Sequence, residues 1–174
     1  MPEIISFGKY KNKFSVEQIA LKDYKYFDYV LNNIPILKNS LKERFDYVKE
    51  AVNNFVSEVD CATCNEVPAE KISIYQGFDS YRVSDLSHVY CSEDCYYEDP
   101  VVSHKSLLHS LGFDSALSST KSDTNGLVRV MTDCIGLKKG RRDKNYLESF
   151  FNKIELRGKE VDSKVENGEQ ISFW

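Results

Sequence analysis

A chain of 174 residues with 41% hydrophobic and 29% charged side chains has the make-up of one globular domain, or of two small ones sharing a core. A net charge of −4 excludes wholesale coating by nucleic acid, and no run of about 18 apolar residues offers a membrane span. The charge is regional: residues 1–60 carry nine basic and nine acidic side chains, residues 61–100 two against eight, and residues 101–157 ten against six. The start, "MPEIISFGKY", shows no cationic segment followed by an apolar one, so the expected location is cytoplasmic.

The stretch "FGKYKNKFS" (7–15) reads as a strand. Phe7, Lys9, Lys11 and Lys13 then share one face, with successive lysines about 6.6 Å apart, a row that a phosphate backbone could follow. Lysines on an edge strand also simply prevent aggregation. Ser15 with Gln18 forms a capping box for a short helix. Asp23 is the N-cap candidate of a second helix, with apolar positions Tyr26, Phe27, Val30, Leu31 and Ile34 and a stop at Pro35. Ser40 with Glu43 suggests another capping box, opening a helix whose stripe is Leu41, Phe45, Val48, Val52 and Phe55.

From residue 61 the character changes. "KISIY" alternates as a strand and "QGFDS" reads as a turn to a second. Cys61-Ala-Thr-Cys64 and Cys91-Ser-Glu-Asp-Cys95 carry the strongest chemical signal. Two- and three-residue gaps let one turn supply two thiolates to a tetrahedral ion, and Ser92 as N-cap places Cys95 in the first turn of a helix. Knuckle, hairpin and helix-borne ligands form the treble-clef arrangement, which predicts one structural Zn2+ held by Cys61, Cys64, Cys91 and Cys95. Disulfides are disfavoured in a cytoplasmic chain. Cys134 stands alone and is expected to be a small buried side chain.

Further on, "PVVSHKSLLHSLGF" reads as a short helix capped by Ser103 and stopped by Gly112, and "DSALSSTKSDTNG" as a polar loop. Asp143 caps a last helix whose buried face is Tyr146, Leu147, Phe150, Phe151 and Ile154. "LKKGRRDKNY" is the densest cationic stretch; Lys138, Lys139, Arg141 and Arg142 stand as phosphate contacts beside a helix start, against the plainer reading of a solvated turn. The acidic segment 93–99 and the terminal Phe173 and Trp174 suit a protein partner better than a phosphate. His88, His104 and His109 do not form the Asp-His and Asn/His pattern of a His-metal finger nuclease, the third reading.

"ISFGKYKNKFSVEQIALKDYKYFDYVL" resembles the exonuclease X-like C-terminal domain, a small module appended to DNA-processing enzymes and present in phage and bacterial proteins. Phe7, Gly8, Lys9, Tyr10, Lys11 and Lys13 match its motif, as do Asp23 and Tyr26; Asn12 replaces its usual glycine and Tyr29 a common tryptophan. The resemblance covers residues 4–34, about a fifth of the chain, and implies company with DNA without importing nuclease motifs.

The resulting expectation is an α+β, zinc-stabilised protein: a strand-helix module over 1–58, a treble clef over 59–112, a loop and helical part over 113–157, and a tail over 158–174. Its function reads as a non-catalytic, phage-type accessory factor of DNA metabolism that contacts nucleic acid, or a nucleoprotein complex, through Lys9, Tyr10, Lys11, Lys13, Lys138, Lys139, Arg141 and Arg142. The alternative is an adaptor or inhibitor docking on a host polymerase, helicase or defence complex.

Overall fold

The computed structural model describes residues 4–35, 39–76, 81–82, 88–101, 106–118, 121–138, 140 and 142–157. The architecture is α+β. Helices α1 (Val16–Lys22), α2 (Tyr24–Asn33) and α3 (Asn39–Asn53) come first. Strands β1 (Lys71–Gln76), β2 (Tyr81–Arg82) and β3 (Val89–Tyr90), helix α4 (Glu93–Glu98) and strand β4 (Ser106–Ser110) follow. A 3-10 turn (Phe113–Ala116) leads to α5 (Lys121–Cys134) and α6 (Lys144–Phe151).

The helical half is built around α1. Its N-terminus carries the reciprocal capping box: the Ser15 hydroxyl accepts from the Gln18 N–H, and Gln18 Oε1 accepts from the Ser15 N–H at 3.1 Å. Val16, Glu17, Ile19, Ala20 and Leu21 are all buried, so this short helix is enclosed by α2, α3, α5 and α6. Glu17 is a charge within that core, 1% exposed, and Arg44 of α3 reaches in to pair with it, Nε donating to Oε1 at 2.7 Å. Arg44 Nη1 also donates to Asn152 Oδ1 at 2.8 Å, so one guanidinium joins α1, α3 and the end of α6. The α3 stripe is as read: Phe45, Val48 and Val52 are fully buried, as is Phe55 just past the helix end.

All the pairings of the sheet are antiparallel. β1 is central, with β4 along one edge from Ser106 to Ser110 and β2 and β3 sharing the other. Ile72, Ile74 and Val89 join the same core as the helices, so the sheet and the helical half are packed on one another.

Several expectations are corrected. "FGKYKNKFS" is not a strand but a tight loop: Asn12 N–H donates to the Ile5 carbonyl at 2.8 Å, Lys13 N–H to the Tyr10 carbonyl at 3.1 Å, and Gly8 and Asn12 both adopt positive φ, 66° and 56°. α3 begins at Asn39, so Ser40 lies within the helix and caps nothing. Residues 106–110 form strand β4 and not a helix. "SLLHSL" fits either period, and the open edge of β1 decides by offering a five-residue hydrogen-bonding partner. Ser103 and His104 lie outside the described residues, as does the "GFDS" part of the expected turn. The segment read as a polar loop contains the 3-10 turn and the first half of α5. That helix closes in a Schellman motif at "CIGL": Gly136 has φ +78°, its N–H donates to the Asp133 carbonyl, and the Leu137 N–H donates to the Thr132 carbonyl. α6 is capped by Asp143 as expected, its carboxylate accepting from the Tyr146 N–H at 2.9 Å.

Removing Arg44 strands the Glu17 carboxylate in the core. Arg44→Ala is expected to cost about 3 kcal/mol in urea unfolding, with Arg44→Lys recovering less than half because a point charge cannot reach both Glu17 and Asn152. A loss under about 0.5 kcal/mol would show that the pair is not structural.

Candidate metal centre

The four cysteines converge. The knuckle begins beyond the Asp60–Pro68 bridge, where the Cys61 N–H donates to the Val67 carbonyl at 2.8 Å and the Asn65 N–H donates to the Cys61 carbonyl at 3.0 Å. Asn65 turns the chain at φ +55°, a conformation asparagine tolerates better than other non-glycine residues. The Ala62 N–H donates to the Val89 carbonyl at 2.8 Å and so ties the knuckle to β3, which delivers Cys91. Ser92 then caps α4 by accepting from the Cys95 N–H at 3.2 Å. The Thr63 hydroxyl closes the ring by donating to the Cys95 carbonyl at 2.8 Å.

All four sulfur atoms lie within 4.8 Å of one another, with Cys91 Sγ 3.5 Å from Cys95 Sγ and 3.8 Å from Cys64 Sγ. A tetrahedral ion with bonds of about 2.3 Å sets its sulfur ligands about 3.8 Å apart, so the group fits one metal ion. None of the four is in a disulfide. Burial works against the Cys61 thiolate, but the backbone N–H groups of Cys64, Cys91 and Thr63 outweigh it and bring the thiol down to about 6. Cys91 is pushed up to about 12 by burial and by hydrogen bonding with its neighbouring thiols. A group of thiolates this close repel one another, and a bound cation is the chemistry that removes the repulsion. With four protein ligands such a site is closed, leaving no position for substrate or water. Around it stand Tyr90 and Tyr96, packed edge to face, and half-buried Leu108 from β4.

The histidines lie apart from this chemistry: neither His88, just before β3, nor His109, opposite Ile72 on β4, is in the sulfur cluster. Cys134 is fully buried in the helical core, and burial raises its thiol to about 12.

The residues singled out for nucleic acid are dispersed. Lys9, its side chain 47% exposed, and the buried Tyr10 are both engaged within the fold. Lys9 Nζ pairs with the nearly buried Asp23 carboxylate at 2.5 Å and lies over the rings of Tyr10 and Tyr26; the Tyr10 ring is 8% exposed and its hydroxyl donates to Asp23 at 2.9 Å. The Lys9 N–H donates to the Tyr26 hydroxyl at 3.0 Å, and a Cβ at Gly8 would sit 2.1 Å from that oxygen. The motif residues Gly8, Lys9, Tyr10, Asp23 and Tyr26 thus interlock, which is why Asp23 makes no capping bond of its own to α2. Lys11, Lys13, Lys138 and Arg142 are exposed; Lys139 and Arg141, like Phe173 and Trp174, lie outside the described residues. Arg142 lines a cleft with Lys22 and Arg129, two cations that no sequence pattern marked because they come from different helices.

No protein-family model, curated protein or solved structure matches this chain.

Protein purified from zinc-supplemented culture is expected to carry about one metal ion per chain by elemental analysis. Cys64→Ser and Cys95→Ser should each reduce that to a small fraction and lower the melting temperature, as should a strong chelator. Cys134→Ser should leave the metal content unchanged. Equal metal content in all three variants would place the ion elsewhere.

Proposed function

We propose that the protein is a zinc-stabilised, non-catalytic accessory factor that binds nucleic acid. The carrying observation is the exposure of Lys11 and Lys13 on a loop whose backbone is held by the Lys9, Tyr10, Asp23 and Tyr26 cluster. Neither lysine forms an ion pair with a described residue, and a fixed loop presents cations to phosphates at little cost in ordering. Lys138 and Arg142 are further exposed cations. The resemblance of residues 4–34 to the exonuclease X-like C-terminal domain supports DNA as the nucleic acid, in proteins of bacteria or their phages. Zinc is the ion that four thiolates in a closed tetrahedral site favour, and its role is to fold the knuckle, β3 and α4 together. No group with an open coordination position accompanies it in this reading.

A second reading rests on the surface beside the metal centre. Tyr97 on the acidic helix α4 is 76% exposed and Val101 74%, alongside Glu93, Asp94 and Glu98. An apolar patch edged with acid suits a basic protein surface, as an adaptor would require.

Fluorescence-anisotropy titrations with single- and double-stranded oligonucleotides at two salt concentrations distinguish the two. Binding that weakens with salt is expected, and Lys11→Glu with Lys13→Glu should weaken it at least about tenfold and lower the salt slope by about two. Absence of binding by folded, metal-loaded protein would leave the adaptor, to be sought by pull-down after nuclease treatment.

A further inference from the structure

Lys22 stands at the end of α1, Arg129 in the middle of α5 and Arg142 just before α6, yet all three line one cleft of about 390 Å³. That volume falls in the range of small-molecule sites, about 300–1,000 Å³. None of the described residues lining the cleft is acidic, and none of the three cations forms an ion pair with a described residue. In a chain of net charge −4, three positive side chains lining one cleft, with no acidic residue among its described lining, favour an anion there.

The placement is held by the fold. Gln18 uses both ends of its amide: Oε1 completes the capping box of α1, and Nε2 donates to the Arg142 carbonyl at 2.8 Å. The backbone bearing Arg142 is therefore fastened to the start of the helix that bears Lys22. The Lys22 ammonium lies 5.0 Å from the centre of the Phe14 ring, which keeps it at the wall of the cleft. Among the apolar residues of the cleft, Phe14 is half-buried and offers surface to a ligand, whereas Leu21 and Leu147 are buried in its wall.

We propose that this cleft binds a nucleotide through its terminal phosphate. A phosphomonoester takes up the charge of Lys22, Arg129 and Arg142, with the two guanidinium forks matching its oxygens. Phe14, with the polar Gln18 and Asn125 beside it in the lining, receives the base or sugar, contacts that inorganic phosphate would leave unused. The ligand is either a free mononucleotide or the phosphorylated end of a strand. The site shares Arg142 with the nucleic-acid surface above but does not rest on that reading, since a mononucleotide can bind whether or not Lys11 and Lys13 touch a strand.

The test is calorimetric titration of the full metal-loaded chain with 5′-AMP, adenosine and inorganic phosphate, and with a ten-nucleotide single strand bearing either a 5′-phosphate or a 5′-hydroxyl. Binding of 5′-AMP is expected, with adenosine and phosphate each at least about tenfold weaker and with Arg129→Ala and Arg142→Ala each weakening it about tenfold. Both arginines are exposed, so the variants should fold; circular dichroism and metal content check this, and Lys42→Ala on α3 should bind as the parent does. A phosphorylated strand binding more tightly than 5′-AMP identifies the strand end as the ligand, and the reverse identifies the free nucleotide. Retention of 5′-AMP affinity in Lys11→Glu with Lys13→Glu keeps this site distinct from the proposed strand contact. No binding of 5′-AMP or of the phosphorylated strand at millimolar concentration overturns the proposal. So does affinity unchanged by both arginine substitutions, or 5′-AMP binding no tighter than phosphate.

Discussion

A carboxylate at the start of a buried helix needs a cation brought to it, and the Glu17–Arg44 pair is that constraint here. The pair constrains how α3 lies on α1, because Arg44, 19% exposed, must reach the buried Glu17 while Phe45, Val48 and Val52 are buried in the core. The same guanidinium reaches Asn152, and Tyr47 one turn later donates to the Phe151 carbonyl at 2.7 Å. The end of α6 is thus located by groups on α3, and its beginning by Gln18 holding Arg142. An ion pair in such a place contributes more to specifying one arrangement than to net stability, since the desolvation of both charges offsets much of their attraction.

The cysteine half is stabilised differently. Among the described residues its satellite cluster buries Cys61, Tyr90 and Tyr96, a small group to hold a knuckle, a strand and a six-residue helix on apolar contact alone. A metal ion held by the four cysteines would supply the stabilisation that so small a cluster lacks. The unit is nonetheless not separate. The Leu111 N–H donates to the Glu70 carbonyl, and Phe55 and Leu156 form a bridge that runs the end of α3 beside the chain after α6. Ile72 and Val89 from the sheet are buried with the helices. Loss of the ion would therefore be felt beyond the four ligands.

Charge is arranged against the chain's overall sign. Glu93, Asp94 and Glu98 lie on α4, beside the cysteines, whereas Lys11 and Lys13 lie in the N-terminal loop and Lys22, Arg129 and Arg142 line the cleft. The cationic cleft would favour an anionic ligand on its side of the molecule. The N-terminal motif contributes to that side indirectly: Lys9 neutralises Asp23, and the loop so fixed carries the exposed lysines and ends at Phe14, on the cleft.

The amino-acid order alone was enough for the features written in local chemistry. The Ser15–Gln18 box, the Asp143 cap, the α3 stripe and the two cysteine pairs each depend on residues a few positions apart, where backbone geometry leaves one outcome. It failed where partners lie far along the chain. "SLLHS" is a strand because β1 lies beside it, and Tyr10 turns inward while Lys9 bends to Asp23 because Asp23 and Tyr26 wait there. The helix over 121–134 was hidden by serine, threonine, asparagine and glycine, which compete locally for the backbone. Its signal was at the other end, where "CIGL" closes a Schellman motif and Leu127, Val128 and Met131 find the core. The cleft was beyond reach of any pattern. Lys22, Arg129 and Arg142 are far apart in the sequence, and only packing, which answers to burial and not to chain order, brings three cations to one wall.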